Sequence, residues 1–144
     1  MQNVLAAGTM PAQHDTAQTS ARAATRRWLK VSILWFVLAV SLGVFMGASH
    51  DHRLMGVHVH INMLGWVSPA LFAFAYQFFP AAATTRLAGV QFWLHNITLP
   101  VMMVALAFVL LGHEAEAGPV LGMTSMLMWA SVLMFAFNVL RQRD

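Results

Sequence analysis

"WLKVSILWFVLAVSLGVFMG", residues 28–47, carries a single charge, Lys30, in a run of otherwise apolar and small residues. A helix rises about 1.5 Å per residue and a bilayer core is about 30 Å thick, so about 20 such residues cross it once. This stretch therefore reads as a transmembrane helix. Working outward from it, three more segments meet the same criterion: residues 57–79, 87–111 and 120–140. The breaks between the four are short, "ASHDHRLMG", "PAAATTR" and "GHEAEAGP", and each holds charged or turn-forming residues. Short connections make neighbouring helices antiparallel. The expected fold is an all-α membrane protein, an antiparallel four-transmembrane-helix bundle over residues 26–144.

Composition agrees. Of 144 residues, 59% are hydrophobic and 9% charged, far from the balance of a soluble domain. The net charge of +3 does not signal nucleic acid, because the basic residues sit at segment ends. Arg22, Arg26, Arg27, Lys30, Arg86, Arg141 and Arg143 fall on one side of the bundle and only Arg53 on the other. The carboxylates Asp51, Glu114 and Glu116 join that second side. By the positive-inside rule both termini are expected in the cytoplasm, in a bacterial inner membrane. Residues 1–25 are polar, rich in Ala, Thr and Gln and without hydrophobic periodicity, and read as a disordered cytoplasmic tail rather than a signal peptide.

With no cysteine, disulfides, iron–sulfur clusters, thiolate-bound heme and Cys-type zinc sites are excluded. Any metal must be held by His, Met, Asn or carboxylate. No nucleophile–base pair and no phosphate loop suggests a hydrolase. Seven histidines are many for so apolar a chain. His14 is given no role. His50 and His52 flank Asp51 in the first outer loop, as solvated residues or a copper site there. His58 and His60 stand in the first turns of the second span, where ionisable residues usually mark function. Two residues apart on a helix is about 200°, so they face different ways. His58 shares its face with Asn62, Gly65 and Pro69, and His60 shares an apolar face with Leu64, Val67 and Phe74. An apolar wall beside an imidazole suits a porphyrin. His95, a further candidate cofactor-binding residue, lies on one face with Gln91, Thr98 and Met102, an inward polar stripe. His113 lies at the outer end of the same span. With span centres set level, His60 lies about 12 Å outward and His95 about 6 Å inward of the midplane, about 18 Å apart in depth. That favours pairing the second-span histidines with His113, or His60 with its copy across a two-fold axis.

The run "VHINMLGWVSPALFAFAYQFFP", residues 59–80, resembles the second transmembrane helix of the large subunit of the heme-copper oxidase superfamily, and of its nitric oxide reductases in particular. There a His-x-Asn-Leu-Leu-like run carries an axial ligand of the low-spin b heme. His60, Asn62, Met63 and Leu64 stand in that pattern, so the resemblance implies heme b on His60. The chain also looks like small bacterial subunit-I-like proteins that share "HxHxNxLGW" and "FWLHN". The resemblance covers about residues 30–140. Those large subunits have about twelve helices and further heme and copper ligands that this chain lacks, so a complete oxidase or NO reductase in one chain is not implied. The expected function is a heme b-binding membrane protein in electron transfer, NO/O2 sensing or heme handling, beside a respiratory-chain partner. Two alternatives stand next to it. One is a copper-binding or copper-handling protein, from eleven methionines, including Met46, Met55 and Met63, and the outer histidines. The other is a non-metal accessory or assembly subunit. Gly43 and Gly47 form a Gly-xxx-Gly patch that suits a homo-oligomer, such as a dimer.

Overall fold

The computed structural model describes residues 11–142. All its elements are helices: α1 (Pro11–Ser49), α2 (Met55–His60), a π-helical segment (Ile61–Val67), α3 (Ser68–Phe78), α4 (Pro80–Ala83), α5 (Arg86–Leu110) and α6 (Glu114–Leu140). The segments from Met55 to Phe78 join into one helix. With α1, α5 and α6 it makes four helices long and apolar enough to cross a membrane. The spans expected at 28–47, 57–79, 87–111 and 120–140 lie within or against these four.

Polarity is turned inside out. Ile33 is 61% exposed, Val44 67% and Phe78 76%, while Gln91, His95, Ser131 and Asn138 are 0% exposed. In water that arrangement would leave the apolar faces unpaid by burial, whereas in lipid it satisfies both sets. The four spans are thus built for a multi-pass membrane protein.

The stretch expected to be a tail is corrected for residues 11–25, which form the first turns of α1. Residues 1–10 lie outside the described residues. Ala21, Ala24 and Trp28 are all buried and recur at i, i+3 and i+7 on one helix face. The small alanines let α1 approach closely, and the Thr25 hydroxyl donates to the Ala73 carbonyl at 3.3 Å. The apolar periodicity is carried by alanine, which composition alone does not distinguish from a polar tail.

Two buried clusters hold the bundle. One gathers Trp28, Phe72, Ala73 and Tyr76 with Phe92 and Phe135 at its edge. The other gathers Ala39, Ile61, Leu99, Met102 and Met128, with Trp35 and Leu64 at its edge. The π segment gives Ile61 and Leu64 to the second cluster, and proline explains its form. Pro69 has no N–H and its ring crowds the carbonyl four residues back, strain that a widened π turn relieves. The Ser68 N–H bonds the Met63 carbonyl, five residues back. Leu64 then loses its α-register donor to Met63, and its π-register donor would be Pro69, which has none. Its carbonyl must find a partner elsewhere. Next to it, the Ser32 hydroxyl on α1 donates to the Trp66 carbonyl at 3.0 Å.

Gly65 lets α1 close on this segment. A Cβ there would lie 2.8 Å from Trp35 Cγ and 2.9 Å from Trp35 Cβ, the second an atom that no rotamer change moves away. Gly65→Ala is therefore expected to destabilise the bundle by about 1–3 kcal/mol, as overpacking does. Unfolding in detergent compared with wild type reads this directly, and an unchanged midpoint would refute the contact.

The helix ends also explain two histidines. His50 follows α1 with φ 56°, the left-handed position that stops a helix. At the end of α5, Gly112 has φ 100°. The Gly112 N–H bonds the Val109 carbonyl and the His113 N–H the Phe108 carbonyl, at 3.1 and 3.0 Å. This is the Schellman pattern, and the His113 ring supplies its apolar contact against Phe108, 5.8 Å between centroids.

Candidate metal-binding groove

His60 is placed by its own helix. Its Nδ1 lies 2.8 Å from the Gly56 carbonyl, one turn back. A carbonyl only accepts, so Nδ1 carries a hydrogen, and in the neutral ring Nε2 keeps its lone pair. Metal-ligating histidines are commonly held this way, one nitrogen on a carbonyl and the other on the metal. The ring lines a groove of about 340 Å³ with Val59, Met63, Leu64, Met102, Ser125 and Met128. Residues from three of the four spans thus line this groove, and three of them are thioethers. A larger groove, about 470 Å³, lies between α5 and α6 around Pro100, Val104 and Glu116, and it contains neither imidazole nor thioether.

His58 points elsewhere, as the 200° offset requires. Its Nδ1 lies 3.0 Å from the Ala39 carbonyl of α1, and its Nε2 lies 3.3 Å from Asn62 Nδ2. Nδ1–H donates to Ala39 and Nε2 accepts from Asn62, so both nitrogens are engaged. His58 is a clamp between the first two spans and is removed from the candidate metal ligands. A Cβ at Gly43 would lie 3.0 Å from His58 Cε1. Gly43 thus makes room for this ring, on a face turned into the bundle, while Gly47 has open space beside it.

His95 is fully buried, and its Nε2 lies 2.9 Å from the Leu64 carbonyl. It is the missing partner of the π segment. Trp28 and Phe72 pack edge-on against the ring at 5.5 and 5.4 Å. With Nε2 engaged and aromatic rings against it, His95 has a structural role and leaves the candidate ligand set. Its depth is also corrected: Leu64 stands one turn, about 6 Å, inward of His60. The 18 Å separation came from setting span centres level, which the hydrogen bond of His95 to the Leu64 carbonyl does not support.

His113 is exposed at the α5–α6 turn and does not line the groove of His60. His50 and His52 are exposed. Among the described residues no group of three or more histidines and carboxylates is gathered that could hold a metal ion. His50, His52, His58, His60 and His113 therefore do not form one outer metal cluster, because helix caps and the clamp on α1 fix them apart. In that loop Asp51 binds Arg53 instead, with Nη2 to Oδ2 at 2.6 Å and the Arg53 N–H to Oδ1 at 3.0 Å.

The Arg53 side-chain hydrogen bonds, then its backbone one, hold the Asp51 carboxyl at about 2, below its ordinary 3.8. A carboxyl lowered on folding stabilises the loop above pH 4, and that contribution is lost as pH falls through 2. Titration of Asp51 followed by NMR is expected to show a midpoint near 2. Arg53→Gln should return it toward 3.8; an unmoved midpoint would refute the pair.

A polar thread runs through the first cluster. The Tyr76 hydroxyl donates to Gln91 Oε1 at 3.3 Å, and the Thr85 hydroxyl to Asn138 Oδ1 at 2.9 Å. Asn138 Nδ2 in turn donates to the Ala82 carbonyl at 2.9 Å. The inward face of His95 with Gln91, Thr98 and Met102 was legible from spacing, and all four are buried. Met128 and Ser125 in the groove, Asn138 in the thread and Ser32 at the π segment were not singled out, and Pro69 was read only as part of the His58 face. A signal for the fourth span existed: Thr124, Met128, Ser131 and Asn138 share one helix face and are all buried.

No protein-family model, no curated protein and no solved structure matches the chain.

Proposed function

We propose that the chain is a heme b-binding membrane protein of the oxidase-core type, in which His60 would be an iron ligand. The observation that carries this reading is the state of His60. Its Nδ1–H is fixed by Gly56, and its Nε2 lone pair borders a groove of aliphatic and thioether groups. The donor set fits the group, since imidazole and methionine are both axial ligands of heme iron, and the walls are apolar. His60 would hold the iron, with Met102 or Met128 as the thioether candidates from the other spans. When bound, heme supplies one-electron or gas-binding chemistry. The chain's own residues fix the imidazole tautomer, exclude water and set the polarity around Nε2.

The spans run antiparallel. Thr25 near Ala73, and Thr85 near Asn138, support this by bringing the start of one span to the end of the next. Both termini face the cytoplasm of a bacterial inner membrane, as the clustering of Arg and Lys at one end suggests.

A second reading rests on the same groove. One imidazole with Met63, Met102 and Met128 is a soft donor set, which suits copper(I). The first experiment is the absorption spectrum of protein purified from heme-supplied cells, oxidised and reduced. A Soret band with sharp visible bands on reduction supports heme, and carbon monoxide then shows whether a coordination position is open. A colourless protein that takes up one copper(I) per chain supports the second reading and overturns the first.

A further inference from the structure

We infer that Gln91 and His95 together bind one water molecule inside the bundle. Both side chains are fully buried, and each leaves one polar atom unpartnered, Gln91 Nε2 and His95 Nδ1. The two atoms are opposite in kind. The Leu64 carbonyl accepts from His95, so Nε2 carries the hydrogen and Nδ1 of the neutral ring is an acceptor. Gln91 Oε1 accepts from Tyr76, which turns the amide nitrogen, a donor, the other way.

Positions four apart on a helix are neighbours, with Cβ atoms about 5–6 Å from each other. The two side chains are thus neighbours, and no hydrogen bond joins their unpartnered atoms. One water can accept from Gln91 Nε2–H and donate to His95 Nδ1. Buried waters typically sit where two or more otherwise unpaired polar groups converge. The need is greater in a membrane span, where no solvent reaches an unpaired group. The water completes a thread from the Leu64 carbonyl through His95 and Gln91 to Tyr76. It ties α5 to the second span at two levels, and it is independent of any metal at His60.

The test is nitrogen NMR of the protein labelled at histidine, in detergent micelles. His95 is assigned from a His95→Phe sample. The expected wild-type spectrum shows His95 with hydrogen on Nε2 and with Nδ1 shifted as a hydrogen-bond acceptor, by several ppm from a bare imidazole nitrogen. Gln91→Met should move Nδ1 toward the bare position while Nε2 keeps its bond to Leu64. A wild-type Nδ1 already at the bare position, or one carrying the hydrogen, overturns the proposal without reference to any variant. A density map resolving waters supplies the second reading. Density within hydrogen-bonding reach of both atoms supports the site, and an empty gap or a direct side-chain contact overturns it.

Discussion

Alanine at position 60 is expected to abolish heme absorption in the purified protein, while Ala at position 58 is expected to leave the bands in place and lower stability. The two histidines are separated by one residue, yet their ring nitrogens are in different states. His60 keeps Nε2 free beside Met63, Met102 and Met128, and His58 has both nitrogens engaged, by Ala39 and Asn62. Removing the His60 imidazole would remove the proposed iron ligand. Removing His58 takes away a cross-helix hydrogen bond, worth about 0.6 kcal/mol on average and at most about 1.7 in a membrane protein. The paired measurement is the reduced-minus-oxidised spectrum at equal protein concentration, with thermal unfolding of both variants. Bands that survive His60→Ala and vanish with His58→Ala would overturn the assignment.

His95→Phe should destabilise the protein by about 1–3 kcal/mol, the usual penalty for a buried group left without its partner. Phenylalanine keeps a ring against Trp28 and Phe72 but offers no donor to Leu64. The Leu64 carbonyl has no alternative, because Ser68 is bonded to Met63 and Pro69 has no N–H. The effect should therefore depend on Pro69. Pro69→Ala restores a backbone donor and lets the segment return to α register, so His95→Phe should cost less in that background. Unfolding midpoints of the two single variants and the double variant make the cycle. Strict additivity would show that His95 and Pro69 act separately and would refute the account of the π segment.

Membrane class, span number and the inward stripe of Gln91, His95, Thr98 and Met102 were determined by sequence alone. Length against bilayer thickness and the period of the helix are local properties, and each segment carries its own evidence. The separation of His58 from His60 was equally legible, since it follows from the rise and turn of one helix. What each histidine does was decided only in three dimensions. Seven imidazoles look alike in sequence, and a hydrogen bond to a carbonyl on another helix leaves no mark in it. Ala39 and Leu64, the acceptors for His58 and His95, act through backbone oxygens that every residue possesses. The close approach of α1 to the second span likewise arises from packing, from the fit of Gly65 on Trp35 and of Gly43 on His58. Packing of α5 on the second span brought His95 to the Leu64 carbonyl and set Met102 and Met128 in the groove beside His60. The helix that replaced the expected tail has the same origin: Ala21 and Ala24 bury little by themselves, and only a neighbouring helix gives their small faces something to close upon.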